Sequence, residues 1–274
     1  MPKALSIAAL LATAAATPAA AQRWVPEAGT HAYRYESVQH IPSQPDRGAR
    51  IDYDLVADGK GGAVAVVRAV WKSEGGTYTP IAVDDPCRTA LHAGAGELAR
   101  VTLYPISKQT AETLGADFMA LCAPRELYFS MTDLLNLALI QASPQFGLAS
   151  LAKPGDSQRF EPFRIVQDRL GITTDSQAAG GTTRFAALDG GIAAIDWAPD
   201  SMTISFTDRT AIPGRELLIE GTGHFGFRVE IDRATGTMLR AHTTTNRFDV
   251  VVNVPDAPPI PMTFTSEVTV GPRP

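Results

Sequence analysis

Five histidines, His31, His40, His92, His224 and His242, are the residues most able to hold a metal or move a proton. None stands at the spacing that brings two imidazoles onto one ion, and the H-E-x-x-H pattern is absent. His224 and His242 fall on neighbouring expected strands, where they could face each other across a hairpin; a surface pair is the plainer reading. No G-x-S-x-G elbow is present to present a nucleophilic serine. Ser150 and Lys153 match S-x-x-K by letter, yet Pro154 follows at once and K-T-G is nowhere. Asp52, Asp54 and Asp58 look like the start of a calcium loop, but the glutamate such a loop needs at its twelfth position is missing. Alternate acids on the solvent face of a strand, followed by a turn aspartate, explain them better. Lys60 lies among glycines without P-loop spacing. With 29 acidic residues, many carboxylate pairs could serve glycoside hydrolysis, and the sequence singles out none. No catalytic residue, metal ligand or cofactor site is therefore assigned.

Residues 1–21 read as an export signal. Lys3 gives a positive start, Leu5 to Ala16 an apolar core, and Ala19-Ala20-Ala21 a small-residue cleavage site. A mature chain beginning at Gln22 follows, and 22–274 is read as one β-rich exported domain, periplasmic or secreted, with a leader in the style of Gram-negative bacteria. Nothing beyond the leader is long enough for a transmembrane helix. The formal net charge of −5, without any Lys/Arg block, argues against a nucleic-acid partner. Cys87 and Cys122 are not a C-x-x-C pair. In an oxidising compartment they read as a disulfide, which would contribute roughly 3–4 kcal/mol by closing its loop.

One long stretch reads as helix, Ser130 to Ser143, with Ser107 to Leu114 a further short one. Ser130 and Asp133 form a capping-box variant, Met131, Leu134, Leu135 and Ala138 share a face, and Leu137, Leu139 and Ile140 fill the other side. Pro144 stops it. A helix this apolar all round belongs in an interior. Around it the chain reads as strands. Ile51, Tyr53 and Leu55 alternate before the Asp58–Gly62 turn, and 97–106 and 159–167 read as single strands. Phe225, Phe227, Val229 and Ile231 alternate cleanly, and a loop at Asp232–Gly236 turns the chain back. Phe248, Val250 and Val252 alternate again. Pro255–Pro261 is a rigid connection or a polyproline II ligand, before a last strand through Met262 and Phe264.

The expected fold is mainly β (α+β): a large curved antiparallel sheet or half-barrel of about 10–12 strands packed on one central apolar helix, with a β-sandwich under a helical cover as the alternative. The first arrangement resembles, in architecture and not in any residue motif, the half-barrel of periplasmic lipoprotein carriers of the LolA type. The function expected is non-catalytic binding of a lipid or other apolar ligand, with Leu135, Leu139, Phe225, Phe227 and Phe248 lining the site. The alternatives are an envelope structural or protein-interaction module with an envelope protein as partner, and a hydrolase whose site the sequence hides.

Overall fold

The computed structural model describes residues 23–60, 63–81, 89–93, 102–103, 148–169 and 172–274. They are mainly β. The strands are β1 Gly29–His40, β2 Arg47–Ala57, β3 Ala63–Glu74, β4 Thr77–Ile81, β5 Thr89–Ala93 and β6 Thr102–Leu103. They continue with β7 Ser157–Phe160, β8 Phe163–Arg169, β9 Ile172–Ala178, β10 Gly181–Asp189, β11 Ile192–Pro199 and β12 Met202–Ile212. Three long strands end the chain: β13 Arg215–Asp232, β14 Met238–Asn253 and β15 Ile260–Pro272. Among the described residues the only helical element is the short 3-10 turn Leu148–Ser150.

All the strands belong to one 15-stranded sheet, and every pairing is antiparallel. Its main order is β6-β5-β3-β2-β1-β15-β14-β13-β11-β10-β7, so the sheet stays open, with β6 and β7 at its two ends. The first and last strands lie side by side, Tyr35 opposite Val270. Two hairpins turn on Gly75-Gly76 and Gly190-Gly191, all four at positive φ. Two consecutive left-handed residues form the turn whose twist matches the flanking strands, and glycine adopts it at least cost.

The long strands share a break at one level. Glu161-Pro162 separates β7 from β8, Ala179-Gly180 separates β9 from β10, and Asp200-Ser201 separates β11 from β12. Phe160 and Pro199 both pair with Gly181, while Phe163 and Met202 both pair with Ala178, so the three breaks stand side by side. β13 runs through this level unbroken on Gly221, Gly223 and Gly226. It carries β11 along its second half and β12 along its first. β14 then bulges against β13 at Gly226/Phe227 and parts from β15 between His242 and Arg247. Glycines and bulges are how a sheet turns a corner. The result is a fold line across the strands, with a β11 side and a β12 side.

One face of the sheet is the inner face. On the β11 side it is filled by Tyr33, Tyr35, Ile51, Tyr53, Phe185, Ile195, Phe227 and Ile231, all essentially without exposure. Tyr33 donates a hydrogen bond to the Met238 carbonyl at 2.9 Å and stacks on Tyr53 at 5.6 Å between centroids. Burial pushes both phenol pKa values up, so both stay protonated. Leu148 and Leu151 join this core. Trp24 meets Phe185 edge-on at 5.5 Å and takes the Arg233 guanidinium over its ring at 3.3 Å.

The structure corrects several expectations. The sheet has 15 strands rather than 10–12. The stretch read as one strand over 159–167 is two, because Pro162 has no N–H to continue a ladder. Of the strand read over 97–106, only Thr102–Leu103 falls among the described residues. Asp52 and Asp54 do not face open solvent: each is only 7% exposed. Asp52 receives both arms of Arg34, at 2.7 and 3.0 Å. Asp54 takes Arg68 at 2.8 Å and has Arg273 at 3.1 Å. Arg68 sits in a β-bulge, where two residues of β3 oppose one of β2, and it reaches Asp54 from there. The acids do lie on the outer face as alternation requires, but the guanidinium stems cover them. His224 and His242 do not meet: His224 pairs with Arg247, and His242 with Arg228. The expected helix Ser130–Ser143, and with it Leu135 and Leu139, lies outside the described residues, as do Cys87 and Cys122.

Candidate functional site

Two features of the fold line could hold a ligand, one on each face of the sheet. On the inner face an aromatic row follows the line. Phe163 lies 6.2 Å from Phe160, which stacks on Trp197 at 5.4 Å and 9°. Trp197 meets Phe225 edge-on at 6.1 Å, and Phe225 meets Phe227 edge-on at 4.4 Å. Each such pair contributes about 0.5–1.5 kcal/mol beyond its buried area. The glycines make this packing possible. A Cβ on Gly181 would fall onto the Phe160 ring, and one on Gly223 would stand 2.5 Å from Phe248 Cδ1. Rings thus cover bare backbone where the sheet bends.

Beyond the row, on the β12 side, the same inner face continues as an apolar surface four strands wide, across β12, β13, β14 and β15. Met202, Ile204, Ile219, Met262 and Phe264 lie on it, and pairing puts them on one side: Met202 opposite Gly223, Ile204 opposite Gly221, and Gly221 opposite Val250, which faces Met262. Phe248 stacks on Phe264 at 5.3 Å and 16°. These five residues are only partly buried, whereas their counterparts across the line are fully so. On β12 that run ends at Asp208, a buried acid on the same face.

Three of the expected ligand-contacting residues can be placed. Phe225 and Phe227 belong to the aromatic row, and Phe227 is wholly buried, a core residue of the β11 side. Phe248 lies on the β12 side of the line, stacked against the half-open surface. The sequence reading did not single out Trp197, Phe160 or Phe264. Trp197 and Phe264 sit in alternating apolar runs, while Phe160 ends the polar strand β7, and only the strand register brings them to the fold line.

On the outer face, the parting of β14 from β15 leaves a polar cleft of about 380 Å³. Thr243, Thr244, Thr245 and Asn246 form one wall, Thr265 and Ser266 part of the other. Thr243 Oγ1 accepts from the Val268 amide at 3.0 Å, and Asn246 Nδ2 donates to Ser266 Oγ at 2.5 Å. His242 Nδ1 and Asn246 Oδ1 are buried without a hydrogen-bond partner. Desolvation and the nearby Arg240 lower the His242 pKa, with Glu230 opposing, so the ring is neutral at pH 7. Among the described residues no group of three His, Cys, Asp or Glu could hold a metal ion, and no helix is long and apolar enough to cross a membrane.

A scan against protein-family models finds no match, and a search of curated proteins finds no relative.

Proposed function

We propose that the protein is an exported, non-catalytic binding protein of the periplasm that takes a lipid or other apolar ligand on the β12 side of its inner face. In this reading the sheet forms a half-barrel, the apolar segment Ser130–Ser143 is its central helix, and residues 1–21 are the signal that exports it. The observation that carries the proposal is the difference between the two sides of one continuous face. Across the fold line from a filled core, the same alternating strands present Met202, Ile204, Ile219, Met262 and Phe264 half open. A protein that used this face only for stability gains by filling it, at roughly 25 cal/mol for each Å² of apolar surface removed from water. An acyl chain makes the same gain on binding. Unbranched side chains such as Met202 and Met262 suit a flexible ligand.

Native mass spectrometry of the mature protein, purified from an envelope fraction without detergent, tests this. The expected result is an added mass that organic extraction releases as lipid, and that is absent from an Ile204→Asp variant with an unchanged melting curve. An unladen protein that also takes up no fatty acid would reject it.

A second reading, an envelope interaction module, rests on the β14–β15 tip. There Pro255–Pro261 presents Ile260 at 48% exposure, and Arg215 ties the loop down through the Pro255 carbonyl and Asp256. An unladen protein that captures an envelope protein, and loses it on Ile260→Asp, would favour this reading.

A further inference from the structure

We infer that the outer-face cleft between β14 and β15 is a second binding site, for a neutral polyhydroxylated ligand such as one saccharide unit. The cleft is built into the register. β14 pairs with β15 at His242–Thr269 and again at Arg247–Thr265, and between them Thr243–Asn246 run without a β15 partner. Its volume of about 380 Å³ lies in the range of small-molecule sites.

The lining chooses the ligand class. Hydroxyl and amide groups dominate it, from Thr243 through Asn246 and from Thr265 and Ser266. Arg240 and Glu267 bring one charge of each sign, so the site offers no net charge to an anion or a cation. His242 is neutral at pH 7. Hydroxyls and amides such as these suit a ligand hydroxyl, which donates to an acceptor and accepts from a donor. A phosphate or carboxylate would meet Glu267 with the wrong sign. An added peptide strand would find only four residues of free ladder, closed at both ends by pairs already made.

Gly226 leaves room for Thr244, one wall of the cleft. A Cβ there would stand 2.9 Å from Thr244 Oγ1 and 3.7 Å from Ala198 Cβ. Any larger side chain at 226 must push into the Thr244 wall. The cleft shares no lining residue with Met202, Ile204, Ile219, Met262 and Phe264 of the proposed apolar surface, so either can fail without the other.

The test is a ¹H–¹⁵N correlation titration of the mature protein with glucose, N-acetylglucosamine and maltose, with inorganic phosphate and glycylglycine as anion and peptide probes. At least one sugar should shift the amides of Thr243–Asn246 and Thr265–Thr269 saturably, with millimolar affinity. Asn246→Ala should weaken it about tenfold, the effect of one lost hydrogen bond, and Gly226→Val should abolish it while distant amides keep their positions. If Gly226→Val does not fold, Thr244→Ala, at an exposed position, replaces it and should also weaken binding. No sugar-dependent shift at tens of millimolar, equal binding by the variants, or shifts caused instead by phosphate or glycylglycine would overturn the inference.

Discussion

Gly223→Ala should be among the most damaging single-methyl changes in this protein, although the residue is a glycine in an extended strand with no unusual φ. Its Cβ would land on the Arg247 carbonyl oxygen and stand 2.5 Å from Phe248 Cδ1. A carbonyl held in the β13–β14 ladder cannot step aside, and Phe248 is braced by Phe264. Overpacking a closed site costs about 1–3 kcal/mol, occasionally more. Displacing the Phe248 ring adds part of the roughly 3–5 kcal/mol that a lost core phenylalanine costs. The expected loss is about 3–5 kcal/mol, a large share of the 5–15 kcal/mol typical of a whole domain. Gly226→Ala, three residues along the same strand, is the control. Its Cβ meets Thr244 Oγ1 at 2.9 Å, the end of a side chain that can rotate away. Alanine also loses less chain entropy on folding, worth roughly 0.4–1 kcal/mol, so this change should be near neutral. Urea unfolding reads both. At a slope of about 2–3 kcal/mol per M, Gly223→Ala should lower the midpoint by about 1–2 M. If the two variants unfold within 1 kcal/mol of each other, roughly a fivefold difference in equilibrium, rings do not cover the glycines as described.

Phe227→Ala should cost about 3–5 kcal/mol in the same assay, as for a fully buried ring. Phe264→Ala should cost about 1–2 kcal/mol, because that ring is only partly withdrawn from water; equal losses would remove the contrast between the two sides of the fold line. His242 should titrate below its ordinary 6.5 in a histidine proton NMR titration. Its folded-state pKa lies below the unfolded one, so the unfolded chain binds the proton first. Stability is then full above about pH 6.5 and falls as pH drops below it, a slope that His242→Gln should remove. A midpoint at or above 6.5 would contradict the burial of that ring. The proposed export to an oxidising compartment predicts a Cys87–Cys122 disulfide, so the unreduced, denatured protein should label at no thiol; two labelled thiols would reject it.

Much of the sheet is legible in the sequence. Phe225, Phe227, Val229 and Ile231 alternate as a strand does, and they occupy one face of β13. The turn after Leu55 and the loop at Asp232–Gly236 reverse the chain where their composition says. The fold line is not legible, because it is a coincidence of register among strands far apart in the chain. The Gly221, Gly223 and Gly226 spacing acquires meaning only once Phe248 is known to lie opposite Gly223. The same limit explains the histidines, which are four residues out of register. It also explains Asp52 and Asp54: alternation gave their face correctly, but Arg273, from the far end of the chain, helps to cover them. The polar cleft left no motif at all. Its threonines read as ordinary strand residues, and only the parting of β14 from β15 gathers them.

The proposal of an apolar ligand is tested most directly by asking whether an acyl chain comes to rest against the aromatic row. The protein has three tryptophans, and Trp24→Phe with Trp71→Phe leaves Trp197, between Phe160 and Phe225, as the only reporter. A fatty acid brominated along its chain quenches tryptophan fluorescence only at short range. The account predicts saturable quenching of Trp197 at micromolar fatty acid, reversed by unbrominated competitor and lost in Ile204→Asp. Quenching that never saturates, or none at all in a protein folded by its melting curve, would contradict it.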